Sequence, residues 1–174
     1  LTQAFTISRG TKISADVVIC TLSCGGHTGR GESMPYPRYG ESIEQVVAQL
    51  EALRPSIESG LQRADLPQHL PAGSARNALD CALWDLEAKS QNQPAYKLAE
   101  LRRPQPVQTA YTISLDTAEN MWRAAAANAE RPLLKIKLAG QGDLERVEAI
   151  RQGAPDAALI VDANEGWGQR EVEP

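Results

Sequence analysis

The stretch Leu133-Leu134-Lys135-Ile136-Lys137-Leu138, with Val161-Asp162-Ala163-Asn164 further along the chain, decides how this sequence is interpreted. Side chains on a β-strand alternate between its two faces. Lys135 and Lys137 are therefore expected on one face, and the leucine and isoleucine side chains between and beside them on the other. Two amines then share one surface of the strand.

The segment between these two stretches predicts a helix followed by a second strand. The helix is indicated by apolar residues at helical spacing: Leu144, Val147 and Ile150. Residues 157–161 are apolar enough for a short buried strand. A strand–helix–strand unit almost always produces parallel neighbours with a right-handed connection. We therefore expect the two lysines to face the carboxylate of Asp162 and the carboxamide of Asn164 where two neighbouring strands end.

Each half of this pattern also has an ordinary structural interpretation. Lysines that alternate with leucines are typical of a half-exposed or edge strand, where lysine discourages pairing with another chain. Residues 162–166 have the composition of a simple turn. The combination favours a functional site, because parallel sheets are usually covered on both faces and their sites collect at the carboxyl ends of the strands.

Length and composition are those of a globular protein. The chain has 174 residues, and 42% of them are hydrophobic, which is enough for a substantial core. The 18 basic and 22 acidic residues give a net charge of −4 and form no basic stripe, so we expect neither nucleic acid nor a membrane surface as a partner.

The sequence favours a cytoplasmic location. It contains no apolar stretch long enough to span a membrane and no secretory signal. Its three cysteines have no disulfide-framework spacing, which fits reduced thiols. The chain starts at Leu1 without a methionine, so a leader could precede it.

The first 105 residues predict a mixed α+β region. Residues 15–32 have the composition of a β-hairpin. A capping-box pattern begins at Ser42, and the helix that it starts is expected to end near Pro55. A second helix, with an alanine-rich apolar face, is expected from about Ser74 to Ser90.

The glycines between residues 25 and 31 do not predict a nucleotide site. A phosphate-binding loop needs a helix that opens directly behind it, and the two common motifs need further residues at fixed spacing. The sequence after Gly31 offers neither.

Prolines near residue 105 mark a change of pattern, and we place a domain boundary there. Residues 107–115 predict a strand, and Thr117 can cap the helix that follows. With the lysine strand, its helix and the Asp162 strand, the order is β-α-β-α-β. Three such parallel strands predict the start of an α/β barrel or of an open α/β sheet.

Several segments resemble a known family. The helical segment Ala78-Leu-Asp-Cys-Ala-Leu-Trp-Asp-Leu-Glu-Ala-Lys89, then a first barrel strand, Lys-x-Lys on the second and Asp-x-Asn on the third, resembles the muconate-lactonising branch of the enolase superfamily. Four shorter segments are similar to its dipeptide epimerases of the L-Ala-D/L-Glu type: Phe5–Gly10, Arg38–Glu41, Leu133–Lys137 and Ile160–Trp167. The resemblance covers essentially the whole chain.

The resemblance implies an α/β fold in two parts. Residues 1–105 would form an α+β capping domain, and residues 106–174 the first three strands of a (β/α) barrel, truncated after the third. The family's other two metal carboxylates and its opposite-face lysine belong to barrel strands that this chain does not contain. As written, the chain carries half a site.

The resemblance also implies roles for individual residues. Lys137 matches the base that acts on one face of the substrate, and Lys135 matches the lysine that assists beside it and contacts the substrate. Asp162 matches the first of three magnesium carboxylates, and Asn164 would support the metal site. A hard cation such as Mg²⁺ prefers oxygen ligands of this kind.

Two further residues match substrate contacts. Thr112 lies where the epimerases use a first-strand threonine against the substrate. Arg9 lies in the amino-terminal capping loop that closes over the dipeptide. The implied partner is therefore a small molecule, a dipeptide, and a homo-oligomer of the complete protein is left open.

The expected function is magnesium-dependent epimerisation of a dipeptide, such as L-Ala-D/L-Glu, by abstraction of the proton next to the carboxylate. We expect the isolated chain to be incomplete and inactive. An N-acyl amino acid racemase or a muconate-type cycloisomerase of the same branch is the alternative within the enzymes. The alternative of another class is a non-catalytic remnant or interaction module, and a reading frame that continues past Pro174 would favour the enzyme.

Overall fold

The computed structural model describes residues 1–169. Within that range the strands are β1 (Phe5–Ile7), β2 (Gly10–Lys12), β3 (Val18–Cys24), β4 (His27–Ser33), β5 (Tyr111–Ile113), β6 (Leu133–Lys137) and β7 (Ala158–Asp162). The α-helices are α1 (Ile43–Glu58), α2 (Leu66–His69), α3 (Ser74–Ser90), α4 (Ala95–Leu98), α5 (Ala118–Ala126) and α6 (Asp143–Gly153). No helix in this range is both long and apolar enough to cross a lipid bilayer.

The chain forms two units, one of residues 15–105 and one that joins residues 1–14 to the chain from Pro106 onward. The first 14 residues, which we predicted to belong with residues 15–105, thus group with the second half of the chain. Their hydrogen bonds give the reason. The backbone N–H of Leu115 donates to the carbonyl of Thr6 at 3.1 Å.

The unit of residues 15–105 is a β-hairpin with helices packed against it. β3 and β4 pair antiparallel in full register, as the sequence predicted. One core fills the space between hairpin and helices, and its buried members are Val18, Val46, Leu66, Leu70, Ala75 and Leu79. Burial of such side chains is the main stabilising contribution in a unit of this size.

Helix α1 starts where the capping box predicted, because Ser42 Oγ accepts a hydrogen bond from the N–H of Gln45 at 3.2 Å. The prediction that it ends near Pro55 is wrong, since the helix continues to Glu58. Ile57, beyond the proline, packs against the core and offsets the hydrogen bond that proline cannot make. The helix ends at Glu58, and Gly60, two residues further on, has a φ of +95°, which fits the left-handed position that follows many helices.

Helix α3 has the bounds that the sequence predicted, and it lies unusually close to β4. A Cβ atom added at Gly31 would lie 2.0 Å from the carbonyl oxygen of Ala78, and one at Gly29 would lie 2.2 Å from that of Ala82. The glycines of this strand therefore allow a helix backbone to approach it. Their role is packing between strand and helix.

The other unit is built on a parallel sheet with the order β5-β6-β7. This confirms the predicted β-α-β-α-β arrangement. Thr117 caps α5 through its side chain, as predicted. The sheet and its two helices enclose a core whose buried members are Ile113, Met121, Ala125, Leu134, Ile136, Leu138, Ile150, Ala154 and Ala157.

Two details of this unit differ from the predictions. Leu144 is 73% exposed, because the inner face of α6 includes Val147 and Ile150 but starts one residue earlier, at the buried Asp143. Strand β7, which was expected to be buried, exposes Ile160 and Val161 by 44% and 46%. Within the described residues β7 pairs with β6 alone and is an edge strand.

Candidate active site

The site is centred on Asp162, at the carboxyl end of β7. The parallel register places Asp162 directly opposite Lys137. The Nζ atoms of Lys137 and Lys135 each lie 2.8 Å from the same carboxylate oxygen, Oδ2 of Asp162. The structure thus brings together the three charged groups that the sequence singled out.

The alternation along β6 explains this arrangement. Leu134 and Ile136 are completely buried on one face of the sheet, so Lys135 and Lys137, which alternate with them, must occupy the other face. The side chain of Lys137 is only 8% exposed, whereas that of Lys135 is 37% exposed. Lys137 is therefore the amine that depends most on its carboxylate partner, because a buried charge without a partner is costly.

The two lysines also determine the charge state of Asp162. Hydrogen bonds from Lys135 and Lys137 lower the pKa of Asp162 strongly, and they outweigh the opposing effect of burial. The backbone N–H of Asn164 adds to this effect by donating to Oδ1 at 3.0 Å. Asp162 is therefore a carboxylate anion at neutral pH.

Asn164 lies in the turn after β7 and has a positive φ of +49°. This conformation is uncommon for residues other than glycine, and asparagine tolerates it best. Its side-chain oxygen Oδ1 is buried and accepts no hydrogen bond from the described residues. Asn164 thus adds an acceptor with spare capacity two residues beyond the Asp162 carboxylate.

Arg9 reaches the same turn from the loop between β1 and β2. Its Nη1 atom donates to the carbonyl oxygen of Asn164 at 2.6 Å and lies 3.6 Å from a carboxylate oxygen of Glu165. The hydroxyl of Ser8 donates to the same carbonyl at 2.8 Å. The amino-terminal loop is therefore attached to the turn that carries Asn164.

Thr112 lies on the neighbouring strand β5, and Phe5 lies on β1, in the separate two-stranded sheet of β1 and β2. Thr112 is half-buried on β5 and pairs in register with Lys135. The Nζ atom of Lys137 lies 5.7 Å from the centre of the Phe5 ring. At this distance an ammonium group interacts favourably with an aromatic face.

Two residues at this end of the sheet were not singled out in the sequence. Asp143, the first residue of α6, is buried and accepts a hydrogen bond from the indole N–H of Trp167 at 2.7 Å. An acidic residue in the first turn of a helix is a common stabilising choice, so its position gave no special signal. The contact with Trp167 is long-range and has no local sequence pattern.

The oxygens at the end of β7 fit part of a magnesium site. The Asp162 carboxylate and the buried Asn164 Oδ1 are hard oxygen donors of the type that Mg²⁺ prefers. Among residues 1–169, however, no group of three histidine, cysteine, aspartate or glutamate side chains lies close enough to hold a metal ion. These residues would supply one carboxylate and leave the remaining ligands to come from elsewhere.

Comparison with known sequences points to one family. The family described as mandelate racemase / muconate lactonizing enzyme, N-terminal domain, matches residues 1–99. The L-Ala-D/L-Glu epimerase of Escherichia coli (strain K12) is 48% identical over 165 residues, which are 94% of this chain and 51% of the relative. The N-acetyl-D-glutamate racemase of a Pseudoalteromonas species is 42% identical over 149 residues, 83% of this chain and 46% of the relative. The chain spans about half the length of these curated relatives.

Solved structures agree with this result. An enolase family member from Agrobacterium tumefaciens, with homology to dipeptide epimerases and with bound sodium and L-Ala-L-Glu, has a TM-score of 0.92 at 51% identity. The match covers 97% of this chain and 52% of that one. The dipeptide epimerase of Enterococcus faecalis V583, complexed with Mg and the dipeptide L-Leu-L-Tyr, has a TM-score of 0.86 at 28% identity, over 98% of this chain and 52% of that one.

The fold and these matches lead to the same assignment. The family match covers more than half of the chain, and three parallel strands linked by helices fit the start of a (β/α) barrel. The chain belongs to the mandelate racemase and muconate lactonizing enzyme family of the enolase superfamily.

Proposed function

We propose that the protein of which this chain forms a part is an isomerase that epimerises a dipeptide of the L-Ala-D/L-Glu type. The observation that carries the proposal is the contact of Lys135 and Lys137 with one oxygen of Asp162 at the carboxyl ends of adjacent parallel strands. Two curated relatives, 48% and 42% identical over the matched residues, are an epimerase and a racemase. Both names describe inversion at a carbon next to a carboxylate.

In this proposal Lys137 moves the proton. A base must lie within hydrogen-bond reach of the hydrogen that it removes, on one face of the substrate. Lys137 is well placed because its side chain is almost fully buried and its Nζ atom is held by Asp162. It accepts the substrate proton as the neutral amine, after it has released the proton that it carries in the ion pair with Asp162. A fixed amine loses little freedom when the substrate binds.

Lys135 is proposed to act beside it. Its side chain is more exposed than that of Lys137, so its ammonium group can reach a substrate carboxylate while Asp162 stays close. Removing a proton next to a carboxylate adds negative charge to that group, and a cation in a fixed position stabilises such charge most effectively.

The magnesium proposal rests on Asp162 and Asn164. A magnesium ion, when bound, supplies positive charge to the oxygens of the substrate carboxylate. Asp162 would be one of its ligands, and the spare oxygen of Asn164 would support the site. Further carboxylates would have to come from outside the described residues.

Arg9 and Thr112 are proposed to contact the substrate. Arg9 already lies at the turn after β7, where its guanidinium is held by the Asn164 carbonyl. A guanidinium matches a carboxylate well, which suits a dipeptide with an acidic side chain. Thr112 lies one strand away, level with Lys135, and offers a hydroxyl.

A racemase of N-acylated amino acids is the second candidate. The observation in its favour is the 42% identity to an N-acetyl-D-glutamate racemase. The two substrate classes share an acylated nitrogen and a free carboxylate on the carbon that is inverted. They differ at the acyl group, which carries a free amine only in the dipeptide.

Proton NMR in deuterated buffer separates the two candidates. The full-length protein that contains this chain is incubated with Mg²⁺ and, separately, with L-Ala-L-Glu, L-Ala-D-Glu and both enantiomers of N-acetyl-glutamate. Loss of the α-proton signal with appearance of the opposite epimer of the dipeptide supports our proposal. Turnover of N-acetyl-glutamate alone supports the second candidate, and turnover of neither contradicts both.

A further inference from the structure

We propose that Asp143 is a positioning residue, which acts through Trp167 to hold the turn after β7 in line with the end of β6. That turn follows directly on Asp162, the last residue of β7, and carries Asn164, while β6 carries Lys137. The significance of this alignment for catalysis rests on the proposed function, but the alignment itself can be tested independently.

The Asp143 carboxylate is the meeting point of two loops. Its Oδ2 atom accepts hydrogen bonds from the backbone N–H of Gly140 at 2.6 Å and from the indole N–H of Trp167 at 2.7 Å. The backbone N–H of Ala139 donates to both carboxylate oxygens at 3.1 Å. One buried group thus holds the loop after β6 and the loop after β7 together.

These donors lie close to the site along the chain. Ala139 follows Lys137 after one intervening residue, and Trp167 lies two residues beyond the turn formed by Asn164 and Glu165. Hydrogen bonds to a charged acceptor are about twice as strong as those between neutral groups. Asp143 is therefore placed to fix the distance between the last residues of the two strands.

The two loops also lie close together at Gly166. A Cβ atom added to Gly166 would lie 2.9 Å from the carbonyl oxygen of Ala163, 3.0 Å from the Cβ of Ser8 and 3.1 Å from the Cα of Ala139. A shift of Trp167 is consequently transmitted to the turn, because tightly packed atoms move together.

Arg146 extends the connection to the third strand. Its Nη1 atom donates to Asp143 at 3.0 Å, and its Nε atom donates to the carbonyl of Asp116 at 2.9 Å. Asp116 follows the end of β5 in the chain. Asp143 and Arg146 together thus join the loops that follow all three parallel strands.

An ordinary explanation covers part of these contacts. An aspartate in the first turn of a helix commonly bonds to nearby backbone N–H groups, which accounts for Ala139 and Gly140. It does not account for a bond from an indole 24 residues away. The change Trp167→Phe removes this bond and leaves the helix start intact, so it isolates the positioning role.

The experiment compares variants of the full-length protein that contains this chain. Trp167→Phe and Asp143→Asn are the test variants. Trp122→Phe is the matched tryptophan control, since Trp122 is a partly exposed residue of α5. Val147→Ala is the stability control, because it removes two methyl groups from the inner face of α6 without touching either loop.

Two readouts are independent of turnover. The first is the amide cross-peak of Asn164 in protein labelled with ¹⁵N-asparagine, which reports on the turn. The second is the binding of Mg²⁺ alone, measured by calorimetry. Loss of a group that orients a metal ligand typically weakens metal binding about tenfold to 100-fold.

We expect Trp167→Phe to shift the Asn164 cross-peak and to weaken Mg²⁺ binding about tenfold. Val147→Ala should lower the melting temperature about as much as Trp167→Phe does, but it should leave the Asn164 cross-peak in place. An unmoved Asn164 cross-peak in Trp167→Phe overturns the inference, as does an equal shift in Val147→Ala. If Asp143→Asn fails to fold, the Asn164 cross-peak and the Mg²⁺ affinity of Trp167→Phe alone test the inference.

The failure of the proposed function would look different. In that case the wild-type protein exchanges no α-proton of any dipeptide, while Trp167→Phe still shifts the Asn164 cross-peak. If the wild-type protein is active, the positioning role further requires that Trp167→Phe lowers kcat more than it raises KM, and that Val147→Ala changes neither.

Discussion

The Nζ atom of Lys137 and the Oδ2 atom of Asp162 lie 2.8 Å apart, in side chains that face each other in register across β6 and β7. The carboxylate side chain is 26% exposed and the lysine side chain 8% exposed. The pair is thus partly desolvated, and each charge depends on the other. The same contact that fixes the position of the Lys137 amine also affects the stability of the unit.

Asp162→Asn should lower the free energy of unfolding by about 2 kcal/mol, because it leaves the buried ammonium of Lys137 without a carboxylate. Breaking a fully buried pair costs about 3–5 kcal/mol, and the partial exposure of Asp162 reduces that cost. Urea denaturation followed by circular dichroism gives the value. The double variant Asp162→Asn with Lys137→Met should recover most of the loss.

Lys135→Met is the matched control for this experiment. Lys135 bonds to the same oxygen but is much more exposed, so its removal should cost about 1 kcal/mol or less. A loss from Asp162→Asn that stays the same in the absence of Lys137 would show that the buried charge is not its cause.

Much of this site could be predicted from the sequence, because alternation along β6 and the strand–helix–strand order are local patterns. They placed Lys135, Lys137 and Asp162 correctly at one end of the sheet. The contacts of Asp143 with Trp167 and of Arg9 with Asn164 could not be predicted in this way. They join residues 24 and 155 positions apart, and they depend on backbone turns that leave no periodic signal.

The errors in the helices have a similar origin. On α6 the apolar spacing predicted that Leu144 would be buried, but the inner face starts one residue earlier, at Asp143. This polar residue can be buried because its carboxylate accepts hydrogen bonds. On α1 the proline rule was outweighed by the packing of Ile57 and by the capping position at Gly60. In both cases contacts with the rest of the unit decided between local alternatives.

Gly31→Ala should destabilise the unit of residues 15–105 by more than about 3 kcal/mol. The new methyl group would lie 2.0 Å from the carbonyl oxygen of Ala78 and 2.6 Å from the backbone nitrogen of Ala82. Helix α3 would have to move away from β4 and expose part of the core. Thermal denaturation of the variant gives a direct comparison with the wild type.

The matched control for this substitution is Gly25→Ala. Gly25 has a positive φ of +57° but open space around it, so the variant should lose only about 1–2 kcal/mol, through backbone strain. Adding Ala78→Gly to Gly31→Ala should bring no recovery, because the obstructing atom is a backbone oxygen. Recovery in that double variant would contradict the packing explanation.

The stability contributed by Asp143 should depend on pH. Burial raises the pKa of Asp143, but the hydrogen bond from Trp167 and those from the backbone and Arg146 more than offset it, so the pKa is lowered. A carboxyl group with a lowered pKa contributes stability above its unfolded pKa of about 4 and loses it as the pH falls through the folded value. The difference in unfolding free energy between wild type and Asp143→Asn should therefore be largest near neutral pH and shrink below about pH 4.

Urea denaturation at several pH values measures this difference. Asp156→Asn, a change at an exposed residue between α6 and β7, is the matched control in the same series. A difference between wild type and Asp143→Asn that grows as the pH falls would reverse the expected sign and contradict the stabilising role of the carboxylate.

Lys137→Ala should abolish net epimerisation by the full-length protein. The variant should retain one partial reaction, the exchange of the α-proton of one epimer. Direct transfer of a proton between the two faces of one carbon needs a base on each face, and Lys137 can reach only one. In the variant, the α-proton of one epimer should still exchange with deuterium, without inversion, through the base on the other face. The opposite epimer, whose α-hydrogen faces the missing lysine, should not exchange.

Proton NMR of each epimer, incubated separately with the variant in deuterated buffer, distinguishes the outcomes. Lys97→Ala, a change at an exposed lysine in the unit of residues 15–105, is the control and should epimerise both substrates normally. Equal residual exchange into both epimers would mean that Lys137 does not serve a single face. Retained epimerisation would mean that another group is the base, and the contact between Lys137 and Asp162 would then have a structural role only.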